Sequence, residues 1–208
     1  YYVGNNGNGA GQELWYSDGT AAGTDMVRDI RPGAQSGGIT NLTAFGAGAL
    51  FVADDGLGNG PEPWFSDGTT AGTVALGDVR PGVSGSAATD FTSIGSTLAV
   101  FTAYSDVSGY EMYQTDGTAA GTGLLVDMSP GIGSSSPSSL CAFGGGALFG
   151  ALGTTGRELY FTDGTTAGTV LVRDIHPSSS SSPSNLTVVG SQVFFSANHP
   201  SFGAELMK

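Results

Sequence analysis

Short apolar runs of four to seven residues punctuate the chain, each closed off by Gly, Pro, Asp or Ser. "LTAFG" (42–46) is followed by "ALFVA" (49–53), then "EPWFS" (62–66), then "TVALGDV" (73–79). Runs of this length, rich in Val, Phe, Trp and Thr and bounded by turn residues, predict β-strands. Asp67-Gly68 joins the last two. Asp-Gly between two such runs is a hairpin signal, because Gly accepts the positive φ that the turn demands. Leu50, Phe51 and Val52 are consecutive, as are Val193, Phe194 and Phe195. Both faces of these strands are therefore apolar, whereas a sheet wetted on one side would alternate.

The pattern repeats. "ELWYSDGTAAGT" (13–24) returns as "EPWFSDGTTAGT" (62–73), "EMYQTDGTAAGT" (111–122) and "ELYFTDGTTAGT" (158–169), and a fifth copy opens as "ELMK". Its markers are Glu13, Glu62, Glu111, Glu158 and Glu205, spaced by 49, 49, 47 and 47 and accounting for every glutamate. Four antiparallel strands in about 48 residues is the size of a propeller blade. A β-solenoid is the competing architecture, but its coils are shorter and need no Asp-Gly hairpin in each unit. The predicted fold is all-β: a β-propeller of four-stranded antiparallel blades, with residues 1–208 as one repeat domain of four to five blades. "YYV" (1–3) aligns with the second strand of a unit, and the fifth copy stops inside its third. Eighteen strands are expected, in three whole blades and two incomplete terminal ones. A four-bladed ring needs about 16 strands and a five-bladed ring about 20. Unpaired edges invite strand addition, so head-to-tail assembly with other copies is an expectation.

These residues resemble the ELWxxDGT repeat family. The resemblance is carried by "ELWYSDGTAAGT", by "VRDIRPG" (27–33) and by "NLTAFGAGALFVADD" (41–55), and extends over essentially the whole chain. It implies a β-propeller-like fold and a bacterial, secreted or surface setting, and little about activity. The chain departs from the pattern at Pro63, Met112, Tyr113, Met207 and Lys208, which leaves the strand assignment standing.

Charge narrows the function classes. The 208 residues carry a formal net charge of −12, with six basic residues in total. Nucleic acid and anionic membrane surfaces both need clustered Lys and Arg, so neither is an expected partner. No apolar run approaches the 18 residues of a spanning helix. "YYVGNNGNG" shows neither the basic nor the apolar region of a signal peptide, which leaves earlier removal or an upstream position open. Cys141 stands alone, so an intrachain disulfide is excluded. It aligns with Thr43 and reads as a buried, inert thiol.

The recurring acids are candidates for chemistry, but their recurrence argues for structure. Asp18, Asp67, Asp116 and Asp163 precede Gly in each hairpin, and Asp29, Asp78, Asp127 and Asp174 precede the linker between units. An active site is normally single, whereas these positions occur in every unit. An Asp before Gly accepts hydrogen bonds from its own turn. The glutamates are expected to bind backbone or hydroxyl groups nearby. No acid pair is singled out for glycoside hydrolysis. The five arginines, Arg28, Arg31, Arg80, Arg157 and Arg173, read as surface or blade-edge charges, and His176 and His199 as loop residues. No nucleophile elbow, CxxC or HExxH occurs. The expectation is a protein that is not an enzyme.

Three further candidates lie in variable loops. Asp54, Asp55 and Asn59 form an oxygen-rich stretch that could hold Ca²⁺, although the EF-hand pattern is not matched and a plain turn is preferred. No cofactor is otherwise expected. Tyr104, Tyr110 and Phe202 are aromatics that would suit sugar stacking. Asn41 and Asn185 open "NLT" sequons, with strand sequence as the simpler reading. The expected function is a non-catalytic extracellular structural or adhesion module, whose partners are other copies, surface proteins or glycans. A lectin-like propeller using the variable loops is the alternative, and a propeller glycosidase ranks last.

Overall fold

The structure, a computed structural model, describes residues 1–5, 7 and 9–208. Among the described residues there are eighteen strands and no helix. The strands form five antiparallel sheets of 3, 4, 4, 4 and 3 strands, and each sheet follows chain order without closing on itself. The chain divides into two compact units, Tyr1–Thr89 with Thr115–Thr122, and Asp90–Gln114 with Gly123–Lys208.

Unit 1 holds two sheets. The first comprises β1 (Tyr2–Gly4), β2 (Glu13–Ser17) and β3 (Thr24–Arg28), and the second β4 (Thr40–Phe45), β5 (Gly48–Ala53), β6 (Glu62–Ser66) and β7 (Val74–Ala75). Every residue of β5 is buried, as expected of a strand apolar on both faces. Leu14, Val27, Ile30, Ile39, Phe51 and Trp64 pack together as its core. At about 25 cal/mol per Å² of apolar surface, each fully buried Phe or Leu contributes roughly 1.5–3 kcal/mol.

Unit 2 carries three sheets. They are β8 (Thr89–Ile94) to β11 (Gly123–Val126) through β9 (Leu98–Ser105) and β10 (Gly109–Thr115); β12 (Ser138–Phe143), β13 (Gly146–Gly153), β14 (Gly156–Thr162) and β15 (Val170–Arg173); and β16 (Ser184–Val189), β17 (Gln192–His199) and β18 (Gly203–Met207). One core cluster joins Val100, Met112, Leu125, Phe149 and Tyr160, and another joins Leu148, Leu159, Ile175, Val193 and Phe195.

The opening strand of four of the five sheets (β4, β8, β12 and β16) is bent by a residue in the left-handed region. Asn41, Asp90, Ser139 and Asn185 hold φ of 55°, 58°, 57° and 56°. In three of these strands the register shifts across that position. Asn and Asp tolerate this conformation better than other non-Gly residues. The Asn41 side chain is also occupied, donating from Nδ2 to the Ala88 carbonyl at 2.9 Å. The asparagines of both "NLT" sequences thus have a backbone reason to be there. Asn41→Ala is expected to cost about 1–2 kcal/mol from strain plus the lost hydrogen bond, and Asn41→Gly less. Urea midpoints for the two variants check this order, and equal losses would contradict it.

Two details differ from the sequence reading. The run at 73–79 gives only the two-residue β7, because Gly77, with φ of 129°, stands where Arg28 and Arg173 continue their strands. Cys141 is half-buried rather than buried, on β12 opposite Leu148.

Turns also latch onto the sheet before them. Thr70 donates its hydroxyl to the Val27 carbonyl at 2.7 Å in unit 1. In unit 2, Thr166 does the same to Leu125 at 2.8 Å. The aligned residues of the first and third turns, Ala21 and Ala119, have no hydroxyl to offer.

Candidate functional site

The hairpin acids are bound by their own turns. Asp18, Asp67, Asp116 and Asp163 each accept the amide of the Thr two residues on, at 2.8 Å. The same Oδ1 accepts that Thr hydroxyl at 2.6–2.8 Å. For Asp67, Asp116 and Asp163 the hydroxyl is the larger influence and the amide the second; for Asp18 the order is reversed. Both hold these carboxyls below the usual range. A hydroxyl pair closes each hairpin base, such as Ser66 with Thr73 at 2.8 Å.

Four of the repeated glutamates are buried and gather backbone amides from the linker that follows their sheet. Glu13 accepts Ile30 N at 3.0 Å and Gly37 N at 2.8 Å. Glu158 accepts Ile175 N at 2.9 Å, Ser181 N at 2.8 Å and the Ser181 hydroxyl at 2.6 Å. Glu111 is held by Met128 N, Ser135 N and the Ser135 hydroxyl. The linker acids are close by. Asp29 and Asp127 accept Gly33 N and Gly131 N at 3.5 and 3.3 Å, and Asp29, Asp127 and Asp174 each keep one buried, unpartnered oxygen.

Glu62 differs. It accepts Val79 N at 3.1 Å and Arg80 N at only 3.4 Å. Burial pushes its carboxyl up to about 7, with a smaller contribution from the charge of Asp78. A carboxyl whose folded pKa exceeds its unfolded value favours the folded state when protonated. That stability is complete below the unfolded pKa near 4.5 and is lost as pH rises through about 7. The melting temperature is therefore expected to fall between pH 5 and pH 8, and Glu62→Gln to flatten that slope. A slope unchanged in Glu62→Gln would assign it elsewhere.

Glu62 lines a cleft of about 210 Å³ with Asp55, Asn59, Trp64 and Asp78. Sequence reasoning grouped Asp54, Asp55 and Asn59. The structure puts Asp55 and Asn59 at this cleft, while Asp54 pairs with Arg31 at 2.7 Å and accepts Gly56 N at 2.8 Å. Asp55 accepts Leu57 N at 2.8 Å, as a turn residue does. Glu62, three residues after Asn59, was missed because it reads as a repeat marker, and Asp78 because it lies 19 residues beyond Asn59.

The candidate aromatics fall in two places. Tyr104 and Tyr110 lie on strands β9 and β10 rather than in the loop between them, with ring centroids 5.0 Å apart. Phe202 is 72% exposed and stacks on His199 at 4.8 Å. His199 is the last residue of β17 rather than a loop residue, and its Nδ1 accepts Ser201 N at 3.2 Å. Asn41 and Asn185 are both exposed.

Two of the arginines are not simple surface charges, while Arg173 is exposed on the edge strand β15 as expected. Arg28 lies over the Trp64 ring and donates to the Thr73 carbonyl. Arg157 is half-buried and donates to the carbonyls of Gly150 and Ser136. Unit 2 also contains a groove of about 650 Å³ lined by Phe143, Leu148, Phe161, Val172, Arg173 and Phe195 among others. It escaped sequence reasoning because strand residues, not loops, form it.

No protein-family model matches the chain, and no curated protein matches it. Two solved structures are similar. Puromycin hydrolase matches with a TM-score of 0.51 and 14% identity over 89% of this chain and 28% of that one. Its S511A mutant complexed with PGG matches at 0.43 and 15% over 90% and 38%. The chain thus spans between a quarter and two-fifths of those proteins' length. At this identity the first likeness speaks to an all-β, propeller-like fold alone.

Proposed function

We propose that the chain is a non-catalytic extracellular repeat module, a structural or adhesion element built as a β-propeller of four-stranded blades, and that it belongs with the ELWxxDGT repeats. One observation carries this reading: the acids are spent on holding the repeat together. Four glutamates are committed to linker amides and four aspartates to their own turns. Even Glu62 uses its oxygens on linker amides, and shares with its copies the amide seventeen positions on. The hydrolase likeness concerns fold, and fold does not transfer activity. Screening for peptidase, esterase and glycosidase turnover, alongside binding to bacterial surface extracts, tests the reading. Turnover abolished by Glu62→Gln in a protein that still folds would overturn it.

A second reading has an observation of its own. The Tyr104–Tyr110 pair near the ends of β9 and β10, and the stack of Phe202 in its turn on His199 at the end of β17, present aromatic faces, and such faces stack on sugar rings. On a glycan array, binding that disappears in both Tyr110→Ala and Phe202→Ala would favour a carbohydrate-binding module.

A further inference from the structure

The second repeat differs from its neighbours at one strand position. Arg28, Gly77, Val126 and Arg173 each stand fifteen residues after their repeat glutamate. Arg28 reaches over the Trp64 ring to the Thr73 carbonyl. Gly77 has no side chain to extend, and a cleft of about 210 Å³ opens beside it, lined entirely by residues of unit 1. Small-molecule pockets run to about 300–1,000 Å³, so this cleft suits a single group the size of a side chain. Its walls are apolar at Ala75, Ala119 and Trp64. Its polar groups are Glu62, 3% exposed, and Asp55, Asn59 and Asp78 nearer solvent. None of its lining residues is basic.

A buried hydroxyl beside Glu62 adds an independent sign. Ser135 and Ser181 give both amide and hydroxyl to their glutamates. The aligned Ser86 gives its amide to the Pro61 carbonyl at 3.2 Å, and its hydroxyl, fully buried next to the Glu62 carboxyl, forms no hydrogen bond. Two amides at 3.1 and 3.4 Å leave a lone pair on each Glu62 oxygen. The charged residues around it are Asp78 and Arg80 in the linker and Asp55 in the loop, while Asp116 in the third turn is held by Thr118. Burial and the charge of Asp78 disfavour the carboxylate, and a cation in the cleft would favour it. Among the described residues the acids do not gather closely enough to share a metal ion. The cation that fits is therefore a charged head on an apolar stem.

We propose that this cleft binds a primary ammonium group carried on a short alkyl stem, the chemistry shared by a lysine side chain and an alkyl diamine. The stem lies along Ala75, Ala119 and Trp64. The ammonium, a compact charge with three donors, takes a lone pair of Glu62 and turns its other donors toward Asp55, Asn59 and Asp78. The charged carboxylate then accepts the Ser86 hydroxyl, as Glu111 and Glu158 accept theirs. A guanidinium fits less well, since its planar fork seeks both oxygens of one carboxylate and an amide already occupies each. The site does not depend on the module reading above.

Cadaverine, a five-carbon diamine, tests it by titration into the full chain, followed by backbone amide shifts in NMR spectra. Saturable shifts centred on Gly77, Val79 and Ala119 are expected, with a Kd on the order of 1 mM or tighter. The ammonium keeps its proton between pH 6 and pH 8, while Glu62, with its pKa of about 7, gains charge. Affinity should therefore rise about tenfold over that range. Glu62→Gln should weaken binding about tenfold or more at pH 8 and remove the pH dependence. Ala119→Leu, at an exposed turn position, fills the cleft without touching the carboxyl and should abolish the shifts. Calcium chloride at the same concentration should not reproduce them. A capped Gly-Lys-Gly peptide separates the sources: tighter binding than cadaverine assigns the cleft to a partner's lysine, and weaker binding to a free diamine. No binding by either amine overturns the site. So does binding that ignores pH, Glu62→Gln or Ala119→Leu, or that calcium matches. Any of these leaves the module reading to its own turnover screen.

Discussion

Glu158→Ala is expected to remove about 3–5 kcal/mol of stability, the loss that follows when one partner of a buried charged network is deleted. Three donors converge on this carboxylate: the amides of Ile175 and Ser181 and the Ser181 hydroxyl, all within 2.9 Å. The site is closed to solvent, so these groups have no water to turn to. Each unsatisfied donor costs about 1–3 kcal/mol, and the cavity adds to it. Glu158→Gln keeps one acceptor oxygen but turns an amide donor toward donors, and falls between. Urea unfolding with tryptophan and circular-dichroism signals gives the numbers. Glu205→Ala, in the same motif but exposed, is the internal control and should change stability by under about 0.5 kcal/mol. A Glu158→Ala loss under about 1 kcal/mol would show that the linker finds other acceptors.

Gly168→Ala is the second large effect, expected at about 2–4 kcal/mol. The cause is space, since Gly168 is not among the positive-φ glycines. A Cβ here would lie 2.0 Å from Asp163 Oδ1 and 2.2 Å from its Cγ. Asp163 cannot retreat without giving up the Thr165 amide and hydroxyl at 2.8 and 2.7 Å. The other copies are as tight, with Gly23, Gly72 and Gly121 each placing a Cβ 2.1–2.2 Å from the carboxyl of Asp18, Asp67 or Asp116. A double-mutant cycle separates the causes. Asp163→Ser, with a shorter side chain, should restore room for the added methyl group, giving a coupling above about 1 kcal/mol. Additive losses would place the damage in the backbone instead.

The strands, their number and the apolar character of both faces were legible in the sequence, because strand length, turn residues and repetition all point the same way. So were the turn acids, whose partners lie two residues along. What escaped depends on distances that no local pattern encodes. Glu62 stands apart from its copies because Ser86 N, at the position of Gly37, Ser135 and Ser181, donates to the Pro61 carbonyl, and the carboxylate takes a 3.4 Å contact from Arg80 N instead. Arg157 reads as a surface charge until the carbonyls of Gly150 and Ser136 are seen to surround its guanidinium. The "NLT" stretches match a glycosylation pattern, yet the left-handed backbone at Asn41 and Asn185 accounts for the asparagines without it. The groove beside Phe143 and Phe161 becomes visible only when the fourth repeat is laid over the second and third.

The alternation between threonine and alanine in the turns sets how the molecule would yield to a pulling force. Thr70 pins its repeat to the one before it in unit 1, and Thr166 does so in unit 2, while the third turn, with Ala119 in that place, rests on the earlier sheet through Gly117 against Phe45 and Phe65. Tension along the chain therefore has to break a hydrogen bond at Thr70 and at Thr166, but only an apolar contact at the third turn.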